Sequence, residues 1–69
     1  MKNKFAERLH EECKTRKLSY RKLSQLAGVS DSSVGDWARG EIQPNAESIY
    51  LICKALDVSA DYLLGLSDY

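Results

Sequence analysis

The 69-residue sequence predicts an all-α fold, and two observations carry that expectation. Apolar residues recur three and four positions apart along nearly the whole chain, the repeat that gathers them on one face of an α-helix, and no run alternates as a strand does. Ser and Asn residues suited to N-caps, and glycines suited to helix ends, divide this pattern into short pieces. Five short helices joined by tight turns are expected.

Phe5, Leu9 and Cys13 share a face, with the stem of Arg16 extending it, which predicts a first helix from Asn3 to Arg16. Lys17, Leu18 and Ser19 interrupt it, and Ser19 is a good N-cap for a second helix from Tyr20 to Ala27 with Leu23, Leu26 and Ala27 turned inward. Gly28 follows as a residue able to take positive φ and end that helix. Ser30 is expected to cap a third helix from Asp31 to Arg39, where Asp31 suits the positive end of the macrodipole. Its inner side would hold Val34 and Trp37, and its outer side Asp31, Ser32, Gly35 and Asp36. Gly40 closes it. Glu41 to Pro44 form the longest irregular stretch. Asn45 then caps a fourth helix whose face is Ile49, Ile52, Cys53 and Leu56. Ser59 caps a short fifth, "ADYLL", which Gly65 terminates.

A chain of this length makes one domain at most and buries only about 60% of the surface its unfolded form exposes. No apolar run approaches the roughly 20 residues of a membrane span. The start, "MKNKFAERLHEE", lacks the apolar region of a secretory signal, so a cytoplasmic setting is expected. Cys13 and Cys53 have no CxxC partner and no histidine at ligand spacing, which argues against zinc; both sit on apolar stripes, where a thiol packs. No cofactor or small-molecule ligand is suggested. His10, the only histidine, is expected at the surface, and Ser30, Ser32 and Ser33 have no histidine partner. Catalysis is not expected.

The formal charge is zero, but it is unevenly spread. Residues 1–40 hold nine Lys/Arg against five Asp/Glu, a net of +4, and residues 41–69 hold one against five, a net of −4. A neutral total conceals a basic N-terminal half.

Leu18 to Gly40, "LSYRKLSQLAGVSDSSVGDWARG", resembles the Cro and lambda-repressor-like helix-turn-helix family, also called the XRE family. Gly28, Val29, Ser30, Val34, Trp37 and Gly40 match its pattern, and "PNAESIYLICKALDVSADYLLG" is similar to its fourth and fifth helices. The resemblance covers nearly the whole chain. It implies a compact five-helix lambda-repressor-like domain, with the motif at about residues 20–39 and the third helix in the major groove of double-stranded DNA. Base edges would then be read by Asp31, Ser32, Ser33 and Asp36, with Gly35 allowing close approach. Ser donates or accepts, and Asp accepts from the amino group of cytosine. Gly28 would serve a crossing too tight for a side chain, and Trp37 would anchor the core.

By the same resemblance, phosphates would be held by Ser19, Tyr20, Arg21 and Lys22 at the start of the second helix. Ser30, Arg39, Gln43 and Asn45 would hold others. Tyr20 departs from the family, which commonly has Gln there as a phosphate donor. Cys13 and Ala38 depart as a pair, standing where many members carry a partly buried Arg–Glu ion pair. Replacing both charges by apolar groups is often neutral or stabilising, so Cys13 is expected to pack near Ala38.

Two functions remain open on these residues. One is a sequence-specific transcriptional regulator, a repressor acting as a homodimer on a palindromic operator, with Tyr62, Leu63, Leu66 and Tyr69 as its contact surface; those residues serve equally well to cap a monomer's core. The other is a protein-interaction module, antirepressor or antitoxin-like, built on a drifted motif. Zero net charge, Asp31, Asp36 and Tyr20 favour the second.

Overall fold

Residues 3–68 are described by a computed structural model, and local capping explains most of the element boundaries within them. The order is α1 (Lys4–Arg16), α2 (Tyr20–Ala27), α3 (Ser33–Ala38), α4 (Ala46–Leu56) and α5 (Ala60–Leu64). The side-chain oxygen of Asn3 accepts from the Ala6 N–H at 2.8 Å, and that of Ser19 from the Lys22 N–H at 3.0 Å. Asn45 accepts from the Ser48 N–H at 2.8 Å and Ser59 from the Tyr62 N–H at 3.1 Å. Each fills a donor that the helix itself leaves without an acceptor.

The ends of α1 and α4 are less obvious from composition. Lys17 and Asp57 take left-handed backbone, with φ of 55° and 56°. For a residue with a Cβ this costs roughly 1–2 kcal/mol. The offset is visible just beyond each: Leu18 N–H reaches the Cys13 carbonyl at 2.9 Å and Val58 N–H the Cys53 carbonyl at 3.1 Å. Leu18 and Val58 then pack against the core, the apolar contact that accompanies this type of helix end.

The third helix is shorter than expected. Asp31 and Ser32 lie in a turn, where the Ser33 N–H bonds the Ser30 carbonyl at 2.9 Å, and α-helix starts only at Ser33. Ser30 does not cap the backbone with its side chain; its hydroxyl pairs with that of Ser33 at 2.7 Å. The tighter three-residue bonding explains the difference, since it turns the chain without opening an α-helical repeat.

One cluster forms the core. It takes Phe5, Leu9 and Cys13 from α1, Leu23 and Ala27 from α2, and Val34, Trp37 and Ala38 from α3, with Ile52, Leu56 and Leu63 closing it from α4 and α5. α1 packs on α3 and α5, α2 on α3 and α4, and α4 on α5. Cys13 and Ala38 are both buried members of this cluster. Both cysteines are free, and burial pushes their thiols above the ordinary thiol range. Two inward assignments are corrected. Leu26 is 56% exposed, because Leu23, Ser24 and Ala27 already fill the inner arc of so short a helix. Arg16 is exposed and bonded to Glu12 at 2.8 Å rather than extending the apolar face.

A polar clasp joins α1 to the C-terminal segment. Arg8 donates to the carbonyls of Tyr62 and Ser67 at 2.8 and 2.6 Å, and its guanidinium lies 4.5 Å from the centre of the Tyr62 ring. The Tyr62 hydroxyl donates to Glu12 at 2.9 Å. That bond, with burial behind it, raises the phenol above its ordinary range.

Charge-assisted bonds contribute about 1.5–3 kcal/mol each, so Arg8→Ala is expected to lower the unfolding free energy by that order in urea titration, with the slope unchanged. The raised phenol sets a pH limit. Its contribution is complete below the unfolded value of about 10 and is lost as pH climbs through the higher folded value. Stability should therefore fall above about pH 10, and less steeply in Tyr62→Phe, when urea midpoints are followed against pH.

Candidate nucleic-acid interface

The orientation of α3 is set by α2. Gly28 ends α2 with φ of 81°, a conformation a Cβ disfavours. A Cβ there would meet nothing within 4 Å, so the requirement is backbone conformation and not the tight crossing expected. Four residues earlier, Ser24 is fully buried. Its hydroxyl donates to the Tyr20 carbonyl at 2.9 Å and accepts from the Val34 N–H at 3.1 Å. Val34 belongs to the first turn of α3, whose own cap residue, Ser32, makes no side-chain bond to it. Ser24 thus caps α3 from the neighbouring helix, while Val34 and Trp37, 0% and 6% exposed, hold the other side of α3 in the core.

Of the residues assigned to base reading, Asp31 and Ser32 are exposed and Ser33 and Asp36 are half-buried. Gly35 is buried, which corrects its assignment to an open face. Arg39 folds back along α3 and covers it: a Cβ on Gly35 would stand 3.0 Å from the nearer Arg39 Nη atom. Gly35 therefore makes room for a guanidinium of the same chain. In that position Arg39 bonds Asp36 at 2.8 Å and pairs with Glu41 at 3.3 Å. At the other end of α3, Arg21 Nε lies 3.2 Å from Asp31. Asp31 and Asp36 each have their own arginine.

The residues assigned to phosphates divide into groups. Ser19, Tyr20, Arg21 and Lys22 stand together at the start of α2, with Arg21 and Lys22 exposed. The Tyr20 hydroxyl is 2.6 Å from His10 Nδ1, so the donor expected to point outward has a partner within the chain. His10, Lys14 and Lys17 border the same cleft as Ser19 and Tyr20, an open volume of about 400 Å³. The positive flank therefore extends onto α1. Positions 10 and 14 lie on one face of α1, a spacing that could have singled them out, and Lys17 joins them from the left-handed residue that ends the helix. Ser24 carried no such signal, because Val34, whose N–H it accepts, is ten residues away in another helix. Gln43 and Asn45 are exposed, and Asn45 keeps its amide NH₂ while its oxygen caps α4.

The expected contact surface between copies is only partly present. Leu63 is fully buried in the core, since α5 must close the cluster with some side chain, and is not available to a partner. Tyr62 is half-buried under Arg8, Leu66 is 76% exposed, and Tyr69 lies outside the described residues. Among the described residues no helix is long and apolar enough to cross a membrane, and no group of three or more His, Cys, Asp or Glu is placed to hold a metal ion.

A short helix capped by its neighbour, with a polar outer face beside a basic helix start, defines a helix-turn-helix protein. A helix-turn-helix family model matches residues 9–63, and the chain belongs to that family. It is 38% identical over 60 residues to repressor protein C2 of Salmonella phage P22, covering 87% of this chain and 28% of that protein. It is 31% identical over 64 residues to the HTH-type transcriptional regulator YobD of Bacillus subtilis, covering 93% of this chain and 57% of the relative. The chain thus spans less than two thirds of either. Among solved structures, the P22 c2 repressor in complex with a synthetic operator superposes with a TM-score of 0.81 at 34% identity, over 93% of this chain and 96% of that one. The restriction-modification controller protein C.AhdI of Aeromonas hydrophila also gives 0.81, at 33% identity over 87% and 91%.

Ser24→Ala should leave the Val34 N–H buried without an acceptor and cost about 1–3 kcal/mol. Faster amide exchange at Val34, together with a lower urea midpoint, is the expected result; an unchanged midpoint would show that α3 is seated by apolar packing alone.

Proposed function

We propose that residues 1–69 act as one helix-turn-helix domain of a sequence-specific transcriptional repressor, which works in the cytoplasm by placing α3 in the major groove of double-stranded DNA. The supporting observation is geometric. The exposed Asp31 and Ser32 at the entry to α3 lie beside the basic start of α2, with Arg21 reaching Asp31 at 3.2 Å. A side chain that reads a base edge and one that neutralises a phosphate are therefore within reach of the same stretch of duplex. The likeness to a repressor solved on an operator supports the same reading.

In this reading Arg21, Lys22 and the start of α2 supply the salt-sensitive part of affinity, with Ser19, Tyr20, Ser30, Arg39, Gln43 and Asn45 as further phosphate contacts. Asp31, Ser32, Ser33 and Asp36 supply discrimination among bases. The functional form is a homodimer on a palindrome, with half-sites about 34–36 Å apart, using Tyr62, Leu66 and the tail beyond them.

Selection of bound sequences from random duplexes, followed by salt titration, tests the proposal. Lys22→Ala should weaken binding on all sequences and flatten the slope of log affinity against log salt by about 0.9, whereas Ser32→Ala should change which bases are preferred. A slope near zero for the unaltered protein would favour the protein-interaction module instead.

A further inference from the structure

Two carboxylates on a surface that meets a polyanion are unfavourable unless each serves recognition. Asp31 and Asp36 are paired in different parts of the interface, Asp31 with Arg21 at 3.2 Å and Asp36 with Arg39 at 2.8 Å. The pairs are open to solvent, the side chains being 73% and 53% exposed in the first and 53% and 25% in the second. Exposed pairs of this kind add little to folding stability. Their consequence is for binding, because a carboxylate on a guanidinium occupies the N–H groups that a phosphate oxygen would take.

We propose that Asp31 and Asp36 are selectivity residues that make the phosphate contacts of Arg21 and Arg39 conditional on the base sequence. This rests on the DNA-binding reading and deepens it. To engage a phosphate, each arginine must leave its carboxylate. The stranded carboxylate then faces a negative groove unless a donor meets it. In the major groove the donors are exocyclic amino groups, that of cytosine above all for an acidic side chain. On a duplex that presents the amino group, arginine and carboxylate both find partners and the exchange is favourable. On one that does not, the internal pair persists and the phosphate contact is forgone. Charge neutrality of the chain then limits adhesion to arbitrary DNA without preventing tight binding at a matching site.

The test measures affinity for a random-sequence duplex, and for a duplex selected by the unaltered protein, across a range of salt. Asp31→Asn keeps the side-chain shape and removes the charge. It should raise affinity for the random duplex roughly five- to tenfold at 0.1 M salt and steepen the salt slope by about 0.9, the signature of one added phosphate contact. It should narrow the gap to the selected duplex. In an Arg21→Ala background the gain should vanish. Asp36→Asn should act in the same direction through Arg39, by a smaller factor because Glu41 still holds that guanidinium at 3.3 Å. Urea midpoints confirm that each variant is folded. No gain from either variant, or an equal gain with and without Arg21, would overturn the conditional pairing while leaving the DNA-binding reading intact. An unaltered protein that ignores every duplex in dilute buffer would overturn both.

Discussion

The geometry of the motif depends on one buried hydroxyl. Among the described residues Ser24 is the fully buried polar side chain, and its two bonds tie the first turn of α2 to the first turn of α3. A buried N–H without an acceptor is costly, and the turn ahead of α3 offers Val34 none from its own side chains. The bond to the Tyr20 carbonyl, one turn back, orients the hydroxyl so that its lone pairs face Val34. With that contact in place, Val34 and Trp37 settle into the core, and Asp31 and Ser32 are left in solvent. The solvent-facing side of α3 is thus what remains after the buried face has been satisfied.

Electrostatics follow from the same arrangement. Bringing the start of α2 beside the entry to α3 places Arg21 against Asp31, and the buried Gly35 lets Arg39 lie along α3 onto Asp36. The chain is neutral overall, yet neutrality is achieved differently in its two regions. On α1 and the C-terminal segment, Arg8, Glu12 and Tyr62 satisfy one another and clasp the fold. On the motif, oppositely charged groups meet in solvent, where a ligand can compete for either one. The first arrangement favours rigidity and the second favours exchange.

Much of the fold was legible in order along the chain. The caps at Ser19, Asn45 and Ser59 and the glycine ends at Gly28 and Gly65 all involve atoms within a few residues of each other, whereas Asn3, expected as the first residue of α1, caps it instead. The start of α3 was misplaced because its cap comes from another helix, so Ser30 offered a plausible local alternative. Leu26 was misjudged, and Leu63 was left open between a contact with a second copy and the core, for a related reason. Apolar character says that a residue favours burial, but the position of neighbouring helices decides which apolar residues find room. The cleft beside Ser19 and Tyr20 is also lined by His10, Lys14 and Lys17, which reach it only because α1 lies alongside the start of α2.

The sequence by itself determined the helices, most of their ends and the apolar faces, since these depend on hydrogen bonds and side-chain spacing within one or two turns. Tertiary structure alone decided that Ser24 caps α3, that Arg21 meets Asp31, and that Leu63 belongs to the core. Those outcomes depend on distances between elements, and such distances exist only after the helices have packed.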